Sequence, residues 1–377
     1  MVCLKRAIVV GGGIGGMVTA IAMAKLGIEV DVIEASARED QLGTGINLQN
    51  NALRGLKEIG VYEQCAAAGF AWNTITNRSG ETGEVVNQVN MPWPEMQGLP
   101  GAMGIMRTDF AEILAEGAAT AGVNVSYRTK VTELTQDAGG VMVKLTNGRT
   151  LGADILVAAD GVYSQVRSMV FGPEHKTSYV GQGVWRFTVP RPKSLDGFSL
   201  FRTNDGVSLG FLPLSEEIAY YFYLETTTEP LRVPPGEASR MMAERLAPFT
   251  APQVQEVMHC LEDGWHVSYR PFDVLFMPRP WNKGKVVMLG DVAHSLTPQL
   301  TSGGGMAIED AVVLADELGR NSSVEEALAT YSERRIDRAH MVFRNSLRIC
   351  ELEKARDQSF EGTQVMLDSF KLLSEAY

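Results

Sequence analysis

The residues with the clearest chemical meaning lie near the start of the chain, where glycines follow a short apolar stretch. Residues 7–10 are apolar and mostly β-branched, which predicts a buried strand, and residues 11–16 read GGGIGG. The spacing Gly11-x-Gly13-x-x-Gly16, at a turn from strand to helix, is typical of dinucleotide binding. Gly11 permits the tight turn, Gly13 lets the backbone approach a pyrophosphate, and Gly16 lets helix and strand pack closely. The helix N terminus then offers N–H groups and a positive dipole end to the phosphates.

Glu34 adds a group for the ribose. It follows Gly16 by about 20 residues, at the tip of a second predicted strand, where such sites carry an acid that binds ribose hydroxyls. Its carboxylate would repel a 2′-phosphate, so the dinucleotide in this slot is not NADP. A glycine-rich turn without a ligand is the alternative interpretation. The motif does not separate FAD from NAD.

Two further motifs follow predicted buried strands much later in the chain. One is Asp160-Gly161, and the other is Gly290-Asp291, which is followed by Pro298 and the glycine run 303–305. Each could by itself be an ordinary turn at the end of a strand. Their order and spacing, together with the first motif, limit the kinds of cofactor and reaction that the sequence is compatible with.

Composition excludes several classes of function. The chain has 377 residues, 45% of them hydrophobic, which is enough for a sizeable core and for two domains or one large composite domain. A formal net charge of -11 argues against nucleic acid and against an anionic membrane surface as partners. No segment is apolar enough to span a bilayer, and no His, Asp or Glu cluster has metal-ligand spacing. The four scattered cysteines, without a C-x-x-C pair, fit buried thiols in a reducing cytoplasm: Cys3, Cys65, Cys260 and Cys350.

The pattern of elements changes along the chain. From about residue 184 to residue 225 it is strand-like and rich in aromatics, which predicts a second domain with a mixed or antiparallel sheet. Ser323 and Glu326 form a capping box at the start of a helical tail. We predict a discontinuous first domain, an inserted second domain and a C-terminal helical segment, with these bounds: 1–70, 101–175 and 276–322; 71–100 and 176–275; 323–377.

With the three motifs in this order, the sequence resembles the single-component, class A flavoprotein aromatic hydroxylases. Within them it is similar to the branch that contains salicylate, 6-hydroxynicotinate and urate hydroxylases. The resemblance covers nearly the whole chain; it is specific to the superfamily but does not name a substrate. It implies an α/β fold: an FAD-binding, Rossmann-like domain of the glutathione-reductase type, with an inserted mixed β-sheet substrate domain and a helical C-terminal tail.

The resemblance also implies roles for individual residues. Asp291 would accept a hydrogen bond from a ribityl hydroxyl, and Asp160 would touch both FAD and NAD(P)H. The helix that opens at Gly303 would direct its N terminus at the pyrimidine edge of the flavin. Arg107 would contact the pyrophosphate, and the backbone of Val131 the adenine. The expected FAD-binding residues are Gly11, Gly13, Gly15, Gly16, Glu34, Arg107, Val131, Asp160, Asp291, Gly303 and Gly304.

The expected catalytic residues are Tyr221, Arg186 and Pro298. Pro298 would lie against the flavin ring. Tyr221 resembles a substrate-pocket tyrosine of the urate hydroxylase branch, and Arg186 could pair with a carboxylate or a ring oxyanion, while Phe211 could wall the ring. Aromatic residues that alternate on a strand are, however, more often packing residues than ligand contacts.

Three positions qualify the resemblance. Thr301 stands where relatives usually have a small residue, often glycine, which bears on the shape of the loop beside the flavin. Asn47 stands where some pyridine hydroxylases of this branch have histidine, so a substrate base of that kind is absent. His294 is tempting as a base, but a structural role behind the flavin is favoured.

The sequence therefore predicts an FAD-dependent monooxygenase that uses NADH or NADPH and O2 to hydroxylate a small hydroxyaromatic or N-heteroaromatic substrate. In the resembled family the reaction passes through a flavin C4a-hydroperoxide, and the nicotinamide cofactor binds transiently, without a second glycine fingerprint. A homodimer is an expectation from the family alone. The alternatives are a flavin oxygenase that tailors a larger natural product, an NAD-dependent dehydrogenase, and a flavin-binding protein without catalysis.

Overall fold

A central parallel sheet supports the glycine motif. The computed structural model describes residues 4–38, 44–91, 98–262, 267–357 and 359–377. Strands and helices are numbered along the chain. The six strands, in spatial order, are β18 (Asn282–Lys283), β19 (Val286–Met288), β12 (Ile155–Ala158), β1 (Arg6–Val10), β2 (Glu29–Ile33) and β8 (Asn124–Ser126). Neighbours pair in parallel, except that β18 is antiparallel to β19 at the edge.

Helices cover this sheet because its central strands are apolar on both faces. The side chains of Ala7, Ile8 and Val9 in β1 are fully buried. Helix α1 (Ile14–Lys25) starts in the glycine motif and packs against the long helix α9 (Gly303–Arg320). Four more helices lie in the first half of the chain: α2 (Asn50–Ile59), α3 (Tyr62–Ala68), α4 (Arg107–Thr120) and α5 (Gln165–Phe171).

A second, larger sheet of eight strands is built from segments far apart in the chain. Its strands, in spatial order, are β20 (His294–Ser295), β17 (Val267–Phe276), β13 (Ser178–Pro190), β16 (Ile218–Thr226), β15 (Ser208–Pro213), β14 (Phe198–Arg202), β5 (Thr74–Ser79) and β6 (Val85–Asn90). The pair β14–β5 is parallel and the other pairs are antiparallel, so the sheet is mixed. This confirms the expected mixed sheet, and strands from both predicted inserted segments meet in it.

Two small sheets and the remaining helices complete the described fold. The small sheets are β3 (Gly45–Gln49), β7 (Ala102–Met106) and β4 (Phe70–Trp72), and β11 (Thr150–Ala153), β10 (Gly140–Leu145) and β9 (Val131–Asp137). The other helices are α6 (Ala238–Leu246), α7 (Pro252–Gln255), α8 (Met258–Glu262), α10 (Val324–Lys354) and α11 (Glu361–Ser374). Ser323 Oγ accepts a hydrogen bond from the Glu326 N–H at 3.1 Å, which confirms the predicted helix start.

The two faces of the eight-stranded sheet contact different parts of the protein. One face packs on α6, α7 and α8 and forms a separate apolar core with Trp185, Phe187 and Phe249. The α/β fold class is confirmed, whereas the domain bounds stay a prediction. Cys65, Cys260 and Cys350 are buried thiols, while Cys3 lies outside the described residues. In the described part of the chain no helix is both long and apolar enough to cross a membrane.

Candidate active site

A cavity of about 520 Å³ lies where the carboxyl ends of the parallel strands meet the start of α9. Ligands of open α/β sheets bind at this edge, outside the ends of the strands. We call this space the dinucleotide cavity. Seven of the eleven predicted cofactor residues line it: Gly13, Gly15, Glu34, Arg107, Asp291, Gly303 and Gly304. Residues remote in the sequence therefore share one cavity.

The glycines of the first motif divide into structural and ligand-facing positions. Gly11 has φ +109°, and a Cβ there would lie 2.2 Å from the Ala159 carbonyl oxygen. A Cβ on Gly16 would lie 1.9 Å from the Gly11 carbonyl oxygen. A Cβ on Gly13, by contrast, would meet no atom within 4 Å. Gly11 and Gly16 thus allow the backbone to pack, and Gly13 leaves open the space that a pyrophosphate requires.

Glu34 is held in place by the backbone of the loops beside it. Its Oε2 accepts a hydrogen bond from the Gly12 N–H at 2.6 Å, and its Oε1 accepts one from the Ser36 N–H at 2.7 Å. A carboxylate has about four acceptor sites, so two remain for ribose hydroxyls. Arg107, the first residue of α4, lines the same cavity and brings a guanidinium that can pair with a phosphate.

Asp291 presents an unused acceptor to the cavity. Its side chain is exposed to the solvent of the cavity, and no hydrogen bond joins its carboxylate to another residue in the described ranges. The protein around the cavity partly desolvates Asp291 and raises its pKa, and the nearby charges of His294 and Arg107 oppose that rise. A carboxylate in this setting gains from a hydroxyl donor, which fits a ribityl hydroxyl of FAD.

The start of α9 offers backbone donors to the same cavity. A Cβ on Gly303 would meet no atom within 4 Å, and no acidic residue lies in the first turn of this 18-residue helix. The helix N terminus is therefore open to a group that carries negative charge. Together with Gly13, Arg107 and Asp291, it forms a set of donors and acceptors that fits FAD.

Besides Gly11 and Gly16, two predicted cofactor residues, Asp160 and Val131, are not in the wall of the cavity. The Asp160 carboxylate binds the start of α5, with Oδ1 accepting from Ser164 Oγ at 2.5 Å and Oδ2 from the Gln165 N–H at 2.8 Å. Its neighbour Gly161 lines the cavity. Val131 is buried at the start of β9. The roles of Asp160 toward NAD(P)H and of Val131 toward adenine stay predictions.

A second cavity of about 200 Å³ adjoins the first, and we call it the aromatic cavity. Its wall is largely aromatic and aliphatic; Trp72 stacks on Phe198 with 5.0 Å between ring centroids, and Phe222 and Phe370 also contribute. The residues that line both cavities are Asn47, Arg186, Tyr220, Pro298 and Thr301. A ring bound in the aromatic cavity would therefore lie next to a cofactor in the dinucleotide cavity.

Arg186 and Tyr220 bring polar groups to this junction. No ion pair or hydrogen bond engages the Arg186 guanidinium within the described ranges. Burial lowers the pKa of Arg186, and the neighbouring Tyr220 opposes this shift. Burial raises the pKa of Tyr220, and Arg186 and Arg107 act in the opposite direction. An enclosed cation without a protein partner favours binding of an oxyanion.

The structure does not bring Tyr221 to this junction, which corrects the sequence-based assignment. Tyr221 is fully buried in the separate core, stacked on Phe187 at 5.4 Å, and its hydroxyl donates to the Gln253 carbonyl oxygen at 3.0 Å. Phe211 lies in the same core, against Tyr221. Successive side chains of a strand point to opposite faces, so Tyr220 and Phe222 of β16 reach the aromatic cavity, and of these two only Tyr220 also lines the dinucleotide cavity.

The turn after Pro298 takes the shape that a glycine would favour, although Thr301 occupies it. Thr301 has φ +49°, a left-handed conformation. Its Oγ1 accepts hydrogen bonds from Asn47 Nδ2 at 3.0 Å and from Gln49 Nε2 at 2.8 Å. Asn47 also accepts a hydrogen bond from the Trp72 indole N–H at 3.1 Å. Side chains on β3 and β4 therefore fix this turn between the two cavities.

A buried charge network lies behind the dinucleotide cavity. Asp310 Oδ2 is 2.6 Å from His294 Nε2 and accepts from the Gly290 N–H at 2.9 Å, while Asp310 Oδ1 accepts from Arg335 Nε at 2.7 Å. Arg335 also pairs with Glu309 at 2.7 Å. His294 is thus a buried structural residue that helps to fix the Gly290 turn, in the role favoured by the sequence analysis.

The sequence analysis missed Tyr220, Trp72 and Glu353, all of which line the aromatic cavity. The strand β16 reads aromatic at four successive positions from Tyr220, so alternation could not select a face. Glu353 lies in a long polar helix without a motif. Among the described residues no group of His, Cys, Asp and Glu side chains could hold a metal ion.

Comparison with known proteins agrees with this geometry. A family model described as "FAD binding domain" matches residues 5–346. The "Putative FAD-dependent monooxygenase YetM" of Bacillus subtilis (strain 168) is 31% identical over 99% of this chain and 100% of its own length. The aurachin C monooxygenase/isomerase of Stigmatella aurantiaca is 29% identical over 92% of this chain and 88% of its own.

A solved structure gives the same result for the fold. The crystal structure of Klebsiella pneumoniae HpxO complexed with FAD and uric acid superposes with a TM-score of 0.84, at 26% identity, over 99% of this chain and 93% of that one. The dinucleotide cavity and its donors match the cofactor that the family binds. The chain therefore belongs to the FAD-binding-domain family and is an FAD-dependent monooxygenase of the aromatic hydroxylase type.

Proposed function

We propose that the protein uses NADH or NADPH and O2 to hydroxylate a small hydroxyaromatic or N-heteroaromatic ring. The observation that carries the proposal is the junction of the two cavities, which share Arg186, Tyr220, Pro298 and Thr301. A space suited to a planar apolar ring lies there beside a space suited to FAD. FAD bound there would supply the redox chemistry: reduced by the nicotinamide cofactor, it would activate O2 so that one oxygen atom could be added to the ring and the other leave as water.

The residues of the chain would hold the two partners and exclude water. Gly13, Arg107 and the start of α9 would bind the phosphates and the charged edge of the cofactor. Asp291 would accept a hydrogen bond from the ribityl chain. Apolar contact with Trp72 and its aromatic neighbours would hold the ring in place and keep water away from the reacting atoms, which suppresses loss of activated oxygen as peroxide.

Arg186 and Tyr220 would act on the substrate. A hydroxylated ring reacts faster when it is ionised, because the negative charge raises its electron density. The Arg186 guanidinium would stabilise a ring oxyanion, and the Tyr220 hydroxyl would orient it. Asn47 and Thr301 would keep Pro298 at the correct distance from the ring, since they fix the turn that carries it.

A larger substrate is the second candidate. The relative from Stigmatella aurantiaca is named for aurachin C, which supports an oxygenase that tailors a natural product. The uric acid in the HpxO complex supports a small heteroaromatic compound instead. The aromatic cavity, at about 200 Å³, favours the smaller class.

Assembly and location complete the proposal. The buried thiols of Cys65, Cys260 and Cys350 support a reducing cytoplasm. A homodimer rests on the family resemblance and is tested by size-exclusion chromatography with light scattering.

The proposed function is tested by three successive measurements. The purified protein is expected to be yellow, with flavin absorbance. Aromatic acids, hydroxypyridines, purines and naphthols are then screened for faster NADH and NADPH oxidation, with catalase present to reveal uncoupled peroxide. Mass spectrometry under ¹⁸O2 is expected to show one labelled oxygen in the product. The proposal would be refuted if the protein retained no FAD. It would also be refuted if none of the screened compounds gave a labelled product.

A further inference from the structure

The aromatic cavity contains one acidic group that the proposed function does not use. Glu353 lies at the C-terminal end of α10 and faces the solvent space of the cavity, with Ile349 and Leu352 from the same helix beside it. Gln299 Nε2 donates a hydrogen bond to Glu353 Oε2 at 3.0 Å. Gln299 directly follows Pro298, which lies at the junction with the dinucleotide cavity. The carboxyl group is thus tied to the turn expected to meet the flavin.

No ion pair engages Glu353 among the described residues. Two residues away, Glu351 Oε1 pairs with Lys354 at 2.6 Å, and Lys354 also donates to the Val180 carbonyl oxygen at 2.7 Å. Gln299 donates a second hydrogen bond, at 2.6 Å, to Gln182 Oε1. Among the described residues, the other titratable or charged groups near this end of α10 or in the cavity wall include Arg186, Arg202, Tyr220, Cys350, Asp357 and Arg356, of which Arg356 lies 3.7 Å from Asp205.

The setting of Glu353 suits proton transfer near neutral pH. Its side chain is open to the solvent of the cavity, but the protein around it partly desolvates the carboxyl group and raises its pKa to about 7, while hydrogen bonds from Gln299 and Gln182 and the charge of Arg202 oppose the rise. A group with a pKa close to the working pH is an effective general base, because it is partly ionised and still able to hold a proton. Its carboxylate also lacks a charged partner that would compete with a substrate donor.

The cavity wall holds other polar acceptors besides Glu353. Asp357 is one of them, but its Oδ1 already accepts a hydrogen bond from the Ser359 N–H at 2.8 Å. Arg186, at the junction, is a donor only and cannot accept a proton. Glu353 is hydrogen-bonded to the turn that carries Pro298, so a ring O–H or N–H held beside that turn would contact its carboxylate.

We propose that Glu353 is a catalytic residue that accepts the ionisable proton of the substrate ring. The O–H or N–H bond of the ring breaks, a new O–H bond forms on the Glu353 carboxylate, and the electron pair stays on the ring. The ring gains electron density, and Arg186 offsets the negative charge. This inference rests on the proposed hydroxylation and adds the group of the protein that takes up the proton of the ring.

The test compares Glu353→Gln with the matched control Glu351→Gln, on the same helix but outside both cavities. Both FAD-loaded variants and the wild type are titrated by calorimetry, in the absence of NADH, with 2-naphthol and with its methyl ether, 2-methoxynaphthalene. The hydroxyl of 2-naphthol stays neutral between about pH 6 and about pH 8, so a change in preference comes from the protein.

The wild type and the Glu351 variant are expected to prefer 2-naphthol over the ether by about tenfold at pH 8, and to lose most of that preference at pH 6. Glu353→Gln should show a small preference that does not depend on pH. In turnover of any hydroxylated substrate found by the screen, it should also lose the acidic limb of the kcat profile. Retained FAD and an unchanged melting temperature show that the variant is folded.

Each other outcome has a defined meaning. A Glu353→Gln protein that keeps the wild-type preference and pH profile would overturn the proposal, as would wild-type protein that does not bind 2-naphthol or a Glu351→Gln protein with the same loss. Binding needs neither NADH nor O2. If binding depends on Glu353 but no ring is hydroxylated, the proposed function fails while the proton-accepting site remains.

Discussion

The side-chain amide of Asn47 donates a hydrogen bond of 3.0 Å to Thr301 Oγ1, across 254 positions of sequence. This contact joins β3 to the turn that separates the dinucleotide cavity from the aromatic cavity. Thr301 adopts φ +49°, which costs a β-branched residue roughly 1–2 kcal/mol. The hydrogen bonds from Asn47 and Gln49 offset that cost. The turn therefore keeps a glycine-like shape without glycine, because side chains of another strand hold it.

Thr301→Val tests this account. Valine keeps the branched shape but removes the acceptor, so the amides of Asn47 and Gln49 lose a partner, and we expect a loss of about 1–3 kcal/mol in the free energy of unfolding. Thr301→Ser keeps the acceptor and should differ little from wild type. Denaturant titration measures both variants. Equal stability of the valine and serine variants would show that these hydrogen bonds do not fix the turn.

Two variants, each with one of the neighbouring tyrosines of β16 changed to phenylalanine, should differ in their effects: one should lower activity and the other should lower stability. Tyr220→Phe is expected to lower kcat/KM by about tenfold or more and to leave the melting temperature nearly unchanged. Tyr221→Phe leaves the Gln253 carbonyl without its donor and should cost about 1 kcal/mol of stability with normal kinetics. Steady-state kinetics and thermal unfolding of both variants decide the matter. The reverse pattern would mean that the opposite face of β16 contacts the substrate.

We expect Arg186→Met to lower catalytic activity without lowering the free energy of unfolding. The wild-type guanidinium is enclosed without a protein partner, so its removal is expected to leave the FAD-free protein as stable as wild type, or more stable by up to about 2 kcal/mol. The same change should lower kcat/KM for a ring that binds as an anion by at least about tenfold. Chemical unfolding and kinetics are measured on one preparation. A clear fall in stability would show that Arg186 has a structural partner.

The glycine motif yields a matched pair of alanine variants. Gly16→Ala places a Cβ 1.9 Å from the Gly11 carbonyl oxygen and should destabilise the fold by about 3 kcal/mol or more. Gly13→Ala places its Cβ in open space, so the fold should persist while the dissociation constant for FAD rises by about tenfold or more. Circular dichroism and flavin fluorescence follow the two effects. If the Gly13→Ala variant binds FAD normally, the pyrophosphate of FAD does not lie against Gly13.

Asp310 should make the stability depend on acid pH. Burial by itself would raise the pKa of Asp310, but His294 and Arg335, through charge and hydrogen bonds, overcome it and lower the pKa from 3.8 to about 2. A lowered carboxyl pKa stabilises the fold at pH values above the ordinary value, and that contribution disappears as the pH falls through about 2.

Asp310→Asn tests that dependence. The variant should lose about 3 kcal/mol or more above pH 4, because it breaks a buried ion pair with Arg335, and its deficit should shrink between about pH 4 and about pH 2. Asp337→Asn, which removes an exposed pair with Arg279, serves as the control and should change stability by less than about 1 kcal/mol. Denaturant titrations at several pH values supply the comparison. A deficit that is constant with pH would contradict the assigned role of the Asp310 charge.

Much of the fold and of the cofactor site could be predicted from the sequence. Gly11 is required by its positive φ and Gly16 by its contact with the Gly11 carbonyl oxygen, so their spacing carries information without knowledge of the rest of the chain. The same holds for Ser323, which caps α10 through a hydrogen bond to a residue three positions away. Because these requirements involve residues close in sequence, the βαβ unit and the start of α10 can be predicted from the sequence.

The substrate side was decided by tertiary structure alone. Tyr220 and Tyr221 are both aromatic on one strand, and only the packing of α6 to α8 against one face determines which of them reaches the cavity. Glu353 meets Gln299 from 54 positions away, in a helix whose sequence gives no sign of a cavity. The sequence by itself determined the dinucleotide-binding unit, because the glycines of that unit answer to backbone geometry, and the order of the three motifs favoured FAD over NAD. The ring-binding residues depend on which faces of distant elements meet, and that became visible only in the assembled fold.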